Sequence, residues 1–342
     1  MILACLLPQI VRAEPAELDA AIDAIAPGVK KWATVCVINK TPDGAPAFAW
    51  HDYARSGDST DFWPASAIKL YTAVAALEVL SDHGFPLDTT IIFEHREKGT
   101  WVLDCARAMR EALSEVFRRS SNEDYTLLLR MVGIDEINTH FLMPDRGFPH
   151  SALMRGYVLG PPYGYTREDP QRITLRATDG RTETLSHTWS GRFYAEERGC
   201  TIFDARTGNV TSPRELGECL RRVMFHEDLP EHDRYKLSAE QLDFLRHGGG
   251  GLRGLETKAG ESGASSWDDG VRRVFPKARV FRKTGLISNY ALEVTFVDDA
   301  AESGRQFILV PVIAAGSETK PVSGEKLVSQ MAQAISDWVQ SR

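Results

Sequence analysis

The chain has 342 residues, 43% hydrophobic and 25% charged, proportions that exclude a disordered or collagen-like polypeptide. Its 40 basic and 47 acidic residues leave a formal charge of −7, a poor starting point for collecting nucleic-acid phosphates. No apolar run reaches the ~18–20 residues needed to span a bilayer. At ~150 residues per domain, the length suits two domains or one large two-lobed one.

Residues 2–11 are mostly apolar and Val11-Arg12-Ala13 resembles a small-x-small cleavage site, which marks 1–13 as a candidate signal peptide. Pro8 and Gln9 interrupt the apolar run, and no basic residue precedes it. Leu18, Ala21, Ile22 and Ile25 have helical spacing that stops at Pro27-Gly28. Strand-like runs at 32–38 and 45–51 flank the turn Lys40-Thr41-Pro42-Asp43-Gly44. A long helical region is predicted from Ser66 to about Phe141, with breaks at Gly84 and Gly133. Residues 157–207 are richer in Gly, Pro, Tyr and Thr, and alternation on both sides of Asp179-Gly180 predicts a hairpin. Ser212-Pro213 opens a helix through Phe225. The glycine run 248–251 reads as a loop, followed by strands at 278–283, 291–297 and 307–315 and a last helix at 324–339.

This order predicts an α+β fold: an antiparallel sheet flanked by N- and C-terminal helices, with a large inserted all-α lobe and an extra hairpin-like insertion. It is read as one two-lobed domain over 14–342, with an α/β lobe from 14–65 and 275–342. The helical lobe, 66–274, contains the insertion 157–207. The five cysteines are at 5, 36, 105, 200 and 219. Removing residues 1–13 leaves four, whose three possible pairings stay open. No C-x-x-C pair supports a zinc ribbon, and Cys36 lies in an apolar run that predicts a buried thiol.

Three short motifs carry chemistry. Ser66-Ala67-Ile68-Lys69 is an S-x-x-K tetrapeptide, a pattern that recurs at 317–320 and 323–326. Only the first opens an apolar helical run, where a hydroxyl meets the positive end of the helix dipole and a lysine one turn on shares its face. Partial desolvation would lower that lysine's pKa and fit it as a base. Ser120-Ser121-Asn122 joins two helical runs and can aim Ser120 and Asn122 at one cleft, although it also reads as ordinary helix capping. Lys283-Thr284-Gly285 closes a strand-like run, supplying a cation, a hydroxyl and room for close backbone approach.

In this order the three resemble the signature of the penicillin-recognising serine hydrolases. The chain is similar to their class A β-lactamase branch; the superfamily also includes penicillin-binding peptidases. Phe62-Trp63-Pro64-Ala65-Ser66-Ala67-Ile68-Lys69-Leu70 looks like the family's nucleophile segment, and Asn209-Val210-Thr211-Ser212-Pro213 like its segment after the omega loop. The likeness covers nearly all of residues 16–340. It implies a β-lactamase/transpeptidase-like fold, with Ser66 as acylated nucleophile, Lys69 as base or proton relay and Ser120 passing a proton to the leaving nitrogen. Asn122 would bind the substrate's amide side chain, and Lys283, Thr284 and Gly285 would receive its carboxylate. The N–H groups of Ser66 and Leu286 would form the oxyanion hole. The resemblance further implies no cofactor or metal, and a small-molecule β-lactam or peptidoglycan stem peptide as substrate. It implies no nucleic-acid partner, no integral membrane segment, a monomer, and a periplasmic or secreted location.

The departures are specific. The family's E-x-x-L-N, whose glutamate activates the deacylating water, is absent. The interval from Ser120 to Lys283, 163 residues, is about sixty longer than the resemblance implies, and the excess falls in 157–207. Glu168 is the nearest replacement in sequence. Ser121 replaces the commoner aspartate, and Leu286 is bulkier than the residue usual after K-T-G. A zinc hydrolase is disfavoured because His226 and His232 are six apart rather than four, and no G-x-S-x-G elbow occurs. Hydrolysis of β-lactams, a penicillin-binding D-Ala-D-Ala peptidase with slow deacylation, and a non-catalytic binding module remain as alternatives.

Overall fold

A computed structural model describes residues 15–342 apart from 165–170, 188, 201, 203–205, 259–264, 288 and 315–323. The candidate signal peptide, Cys5 and Glu168 lie outside the described residues. In chain order the helices are α1 (Pro15–Asp23), α2 (Lys69–Asp82), α3 (Met109–Arg118), α4 (Asn122–Val132) and the single turns α5 (Ile134–Glu136) and α6 (Tyr194–Glu197). They continue with α7 (Pro213–Met224), α8 (Ala239–His247), α9 (Ser265–Val274) and α10 (Gly324–Gln340). The strands are β1 (Lys31–Lys40), β2 (Pro46–Asp52), β3 (Thr90–Glu97), β4 (Thr100–Ala108), β5 (Gln171–Arg176) and β6 (Thr182–Leu185). The remaining four are β7 (Glu256–Thr257), β8 (Arg279–Ile287), β9 (Tyr290–Asp299) and β10 (Arg305–Ala314).

The architecture is α+β, as the element order predicts. Six antiparallel strands form the main sheet in the order β2-β1-β10-β9-β8-β7. Its central strands are apolar on both faces; Ile308, Leu309, Val310, Val312 and Ile313 of β10 are all fully buried. Such strands need cover on both sides. Trp50 of β2 packs at Gly217 of α7, whereas the neighbouring His51 meets Trp338 of α10 at 4.9 Å. Successive strand residues point to opposite faces, so α7 and α10 cover opposite faces, with α1 and α9 beside α10. The two terminal helices thus share one side of the sheet.

The region between Ser66 and Phe141, read as helical with breaks at Gly84 and Gly133, also contains two strands, and the lobe read as all-α contains a sheet. Thr90–Glu97 and Thr100–Ala108 form a hairpin, extended by β5 and β6 to a four-stranded sheet of order β4-β3-β5-β6. Ile91 and Phe93 are buried in alternation, a period-2 signal that competes with the flanking helical spacing. Lys98 and Gly99, at φ +48° and +86°, make the tight turn. The hairpin expected around Asp179-Gly180 is present as β5–β6, paired through β3 to the earlier strands. Arg130 of α4 ties this sheet down, bonding Asp104 at 3.0 Å, Gln171 at 2.8 Å and the Pro162 carbonyl at 2.9 Å.

The long excursion from 153 to 209 is closed at its base. Ala152 and Val210 exchange backbone hydrogen bonds of 2.9 Å. Asn209 Oδ1 accepts from the Met154 and Arg155 amides at 2.7 and 3.1 Å, and its Nδ2 donates to the Arg155 carbonyl at 3.1 Å. Below it, Ser151, Thr211 and Tyr71 share hydroxyl bonds, and Glu215 receives the His150 amide at 2.8 Å. The base of the excursion is therefore anchored to α2, two residues beyond Lys69. Among the described residues Cys36, Cys105, Cys200 and Cys219 are free thiols, with Cys36 buried in β1.

Asn209→Ala would leave two buried amides without an acceptor, each costing about 1–3 kcal/mol. Its melting temperature should fall by several degrees, and calorimetry beside the wild type measures this directly; an unchanged midpoint would contradict the anchoring role.

Candidate active site

Ser66 sits in a 3₁₀ turn, Ala65–Ile68, that runs into α2. Ala65 adopts φ +44°, a left-handed conformation that an alanine occupies only when its surroundings hold it there. The turn presses against β8. A methyl group on Gly285 would lie 2.8 Å from the Pro64 carbonyl oxygen and 3.0 Å from the Ala67 nitrogen. Glycine is therefore required where the K-T-G strand passes the serine turn.

Lys69 is fully buried and Lys283 is 3% exposed. Lys69 Nζ donates to Asn122 Oδ1 at 2.7 Å, to Ser120 Oγ at 3.3 Å and, by a short bond, to the Ser120 carbonyl. Lys283 Nζ donates to the same Ser120 Oγ at 2.8 Å and to the Thr284 carbonyl at 2.8 Å. Two lysines from distant parts of the chain thus bracket one serine hydroxyl. Ser120 takes φ +55°, which lets its carbonyl and its hydroxyl face the same ammonium. Among the described residues, Lys69 bonds Ser120 and Asn122 rather than the Ser66 hydroxyl.

The Ser120 connection is held from outside the site. Ser121 caps α4 by accepting from the Asp124 amide at 3.0 Å and donates to the Asp124 carboxylate at 2.7 Å. That carboxylate also meets Arg107 of β4 at 2.7 Å. The unusual serine at this position is a helix cap, and the β3–β4 hairpin supports it.

Burial is the main cause of the lysines' altered acidity. It pulls Lys69 down to about 7, against a partial upward pull from Glu123 and Asp124. It carries Lys283 well below its ordinary value, with the positive charges of Lys69 and Arg282 adding to the effect. An amine near 7 is populated in its neutral form at physiological pH, as a general base requires.

Two further residues shape the site, and neither stands out in the sequence. The Tyr125 and Tyr157 ring centroids each lie 5.7 Å from Lys69 Nζ, and the rings are 4.9 Å apart. The Tyr157 hydroxyl donates to the Ala65 carbonyl at 2.7 Å. The only hint in the sequence is that Tyr157 opens the tyrosine- and glycine-rich stretch. Thr284 lies on β8 beside Lys283, and Leu286, which follows Gly285, is 52% exposed. A separate open cavity of 870 Å³, lined by Phe85, Arg181, His226, Tyr235 and Glu240 among others, includes none of these residues.

No sequence-family model and no curated protein matches the chain. Solved structures do. A structure described as PBP-A superposes with a TM-score of 0.58 at 14% identity, covering 96% of this chain and 97% of that one. The fold is that of the class A β-lactamases and PBP-A. TLA-3 extended-spectrum β-lactamase gives 0.57 at 16% identity over 95% and 99% of the two chains. A class A β-lactamase representative from Bacteroides cellulosilyticus gives 0.55 at 14%, over 96% and 99%. The β-lactamase fold accounts for the helix-flanked main sheet and for α2 beside it. At these identities the chemistry must be argued from this chain's own residues.

Gly285→Ala should force β8 away from the serine turn. The expected outcome is a melting temperature lowered by several degrees in calorimetry beside the wild type; an unchanged midpoint would show that the close approach is dispensable.

Proposed function

We propose that the protein is a serine hydrolase that opens the β-lactam amide through an acyl-enzyme on Ser66. The observation that carries this reading is the bracketing of Ser120 Oγ by two buried lysines, one of them with a pKa near 7, one helical turn from Ser66. Neutral Lys69 takes the Ser66 proton as Oγ bonds to the lactam carbonyl carbon. The N–H groups of Ser66 and Leu286, on backbones that meet at Gly285, receive the developing oxyanion. As the C–N bond breaks, Ser120 delivers a proton to the leaving nitrogen and is resupplied from the lysines. Lys283 and Thr284 hold the substrate carboxylate, and Asn122 its amide side chain. Such a substrate places the protein in the periplasm or outside the cell. Among the described residues no helix is long and apolar enough to cross a membrane.

The second reading is a penicillin-binding D-Ala-D-Ala peptidase with slow deacylation. It is favoured by the flank of the site: among the described residues no carboxylate bonds Lys69, and Tyr157 stands there instead, its phenol pushed up to about 12 by burial. Such a phenol is a poor base for activating water.

Ser66→Ala should abolish covalent labelling by a fluorescent penicillin while the melting temperature stays within a few degrees. Labelling that persists at another serine, or a folded wild type that never labels, would overturn the reading. Sustained turnover of a chromogenic cephalosporin assigns the lactamase; one burst followed by a stable adduct assigns the peptidase. Glu168→Gln separates them further, because an accumulating acyl-enzyme would make that residue the deacylating base.

The acylation rate should also report Lys69. Its neutral form is the reactive one, so the rate constant should rise with pH through about 7 and level off above, losing about tenfold per unit on the acid side. Rapid-mixing measurements across this range locate the midpoint, and a midpoint near 10 would exclude Lys69 as the base.

A further inference from the structure

The structure places Tyr157 where it can act on Ser66 through the backbone that precedes it. We propose that Tyr157 is a positioning residue for acylation, its hydroxyl orienting the Ala65–Ser66 peptide so that the Ser66 N–H points into the oxyanion hole. This rests on the reading of Ser66 as the acylated nucleophile.

The argument starts from the peptide bond. It is planar and trans, so the Ala65 carbonyl and the Ser66 N–H are fixed in opposite directions. A group that holds the carbonyl oxygen therefore sets the direction of the N–H. The Tyr157 hydroxyl does so with a 2.7 Å bond. A hydrogen bond on the carbonyl also polarises the peptide and strengthens its N–H as a donor. The bond acts where the backbone most needs support, because Ala65 is at φ +44°.

Tyr157 is itself held firmly. The Thr126 hydroxyl on α4 accepts from the Tyr157 and Val158 amides at 3.0 and 3.2 Å, and donates to the Asn122 carbonyl at 2.7 Å. A side chain on Gly156 would collide with Thr126, its Cβ lying 2.6 Å from the hydroxyl oxygen, so the chain can approach α4 this closely only with glycine there. Tyr125 packs on the Tyr157 ring at 4.9 Å and donates to the Arg155 carbonyl at 2.9 Å. Burial keeps the phenol protonated, with hydrogen bonds from Asn209 and Trp63 acting weakly the other way. It is thus a permanent donor at working pH. The ring has a separate effect, shielding Lys69 from water together with Tyr125.

Tyr157→Phe removes the hydroxyl and keeps the ring. Rapid mixing of the full chain with a chromogenic cephalosporin separates the acylation rate constant from the dissociation constant of the preceding complex. The expected result is an acylation rate constant about tenfold lower, since misaligning one oxyanion donor costs less than the ~10²–10³ of removing it. The dissociation constant should stay within about twofold, and the pH midpoint unchanged because Lys69 remains dry. Rates are normalised to the amplitude of penicillin labelling, which counts only folded, competent enzyme. Tyr157→Leu, which also removes the ring's π face, should lower the rate further and move the pH midpoint. A labelled wild type with Tyr157→Phe acylating at the wild-type rate, or losing affinity rather than rate, overturns the inference alone. A folded wild type that does not label at Ser66 overturns it together with the reading beneath it.

Discussion

Two ammonium groups drawn out of water on either side of one serine hydroxyl are the constraint to which the surrounding structure answers. A lysine buried without partners would simply discharge or unfold its pocket. Here Lys69 and Lys283 find the Ser120 carbonyl and hydroxyl, the Asn122 amide oxygen and the Thr284 carbonyl. These contacts are enough to fold the site, but the two charges also repel each other. Repulsion from Lys69 adds to the burial that lowers Lys283, whereas burial by itself draws Lys69 down to about 7. Ser120 must lie at positive φ to serve both lysines, and that conformation persists because α4 is capped and clamped immediately after it by Ser121, Asp124 and Arg107. A hairpin that looks peripheral thereby becomes part of the support for Ser120.

The same logic governs the opposite wall. Tyr125 and Tyr157 exclude water from Lys69, and Thr126 and Asn209 help to hold them, Thr126 by accepting from the Tyr157 amide and Asn209 by donating to the Tyr125 hydroxyl at 3.3 Å. Asn209 is an amide that satisfies two backbone donors and one acceptor at the point where the excursion leaves the body of the protein. An amide suits this place because it donates and accepts at once.

Most of the fold is legible in the sequence because its signals are local and strong. Five of the six strands of the main sheet, the Ser212-Pro213 helix start and the terminal helices follow from periodicity and caps, whereas the two-residue β7 is too short to show a pattern. The β3–β4 hairpin is masked because Thr90–Glu97 sits between two strongly helical runs, with only Lys98-Gly99 to announce the turn. Helix α8 is nine residues long, too short for periodicity to stand out, although the Ser238 and Gln241 capping box that starts it is present in the sequence. Within the site, Ser66, Lys69, Ser120, Asn122 and Lys283 are visible because motif spacing is a sequence property. Tyr157 is not, because its role comes from meeting Ala65 across 92 positions of the chain. A hydrogen bond between such distant residues leaves no pattern in a single sequence.

The bridge between Ala152 and Val210 brings the start and finish of the excursion together like the two sides of a buttonhole. Once these strands of chain are paired, the length threaded between them is nearly free of consequence for the main sheet, since the entropy of closing a loop grows only with the logarithm of its length. The turn that connects β5 and β6 can therefore lengthen or shorten without shifting the register of β8 against the serine turn, provided that both strands keep their pairing through β3. Residues 154–158 and 209, stitched to α4 and to each other, and β5, paired with β3 and bonded through Gln171 to Arg130, are fixed. The fold thus separates an exposed connecting turn at Asp179-Gly180, which can drift, from paired seams that must not.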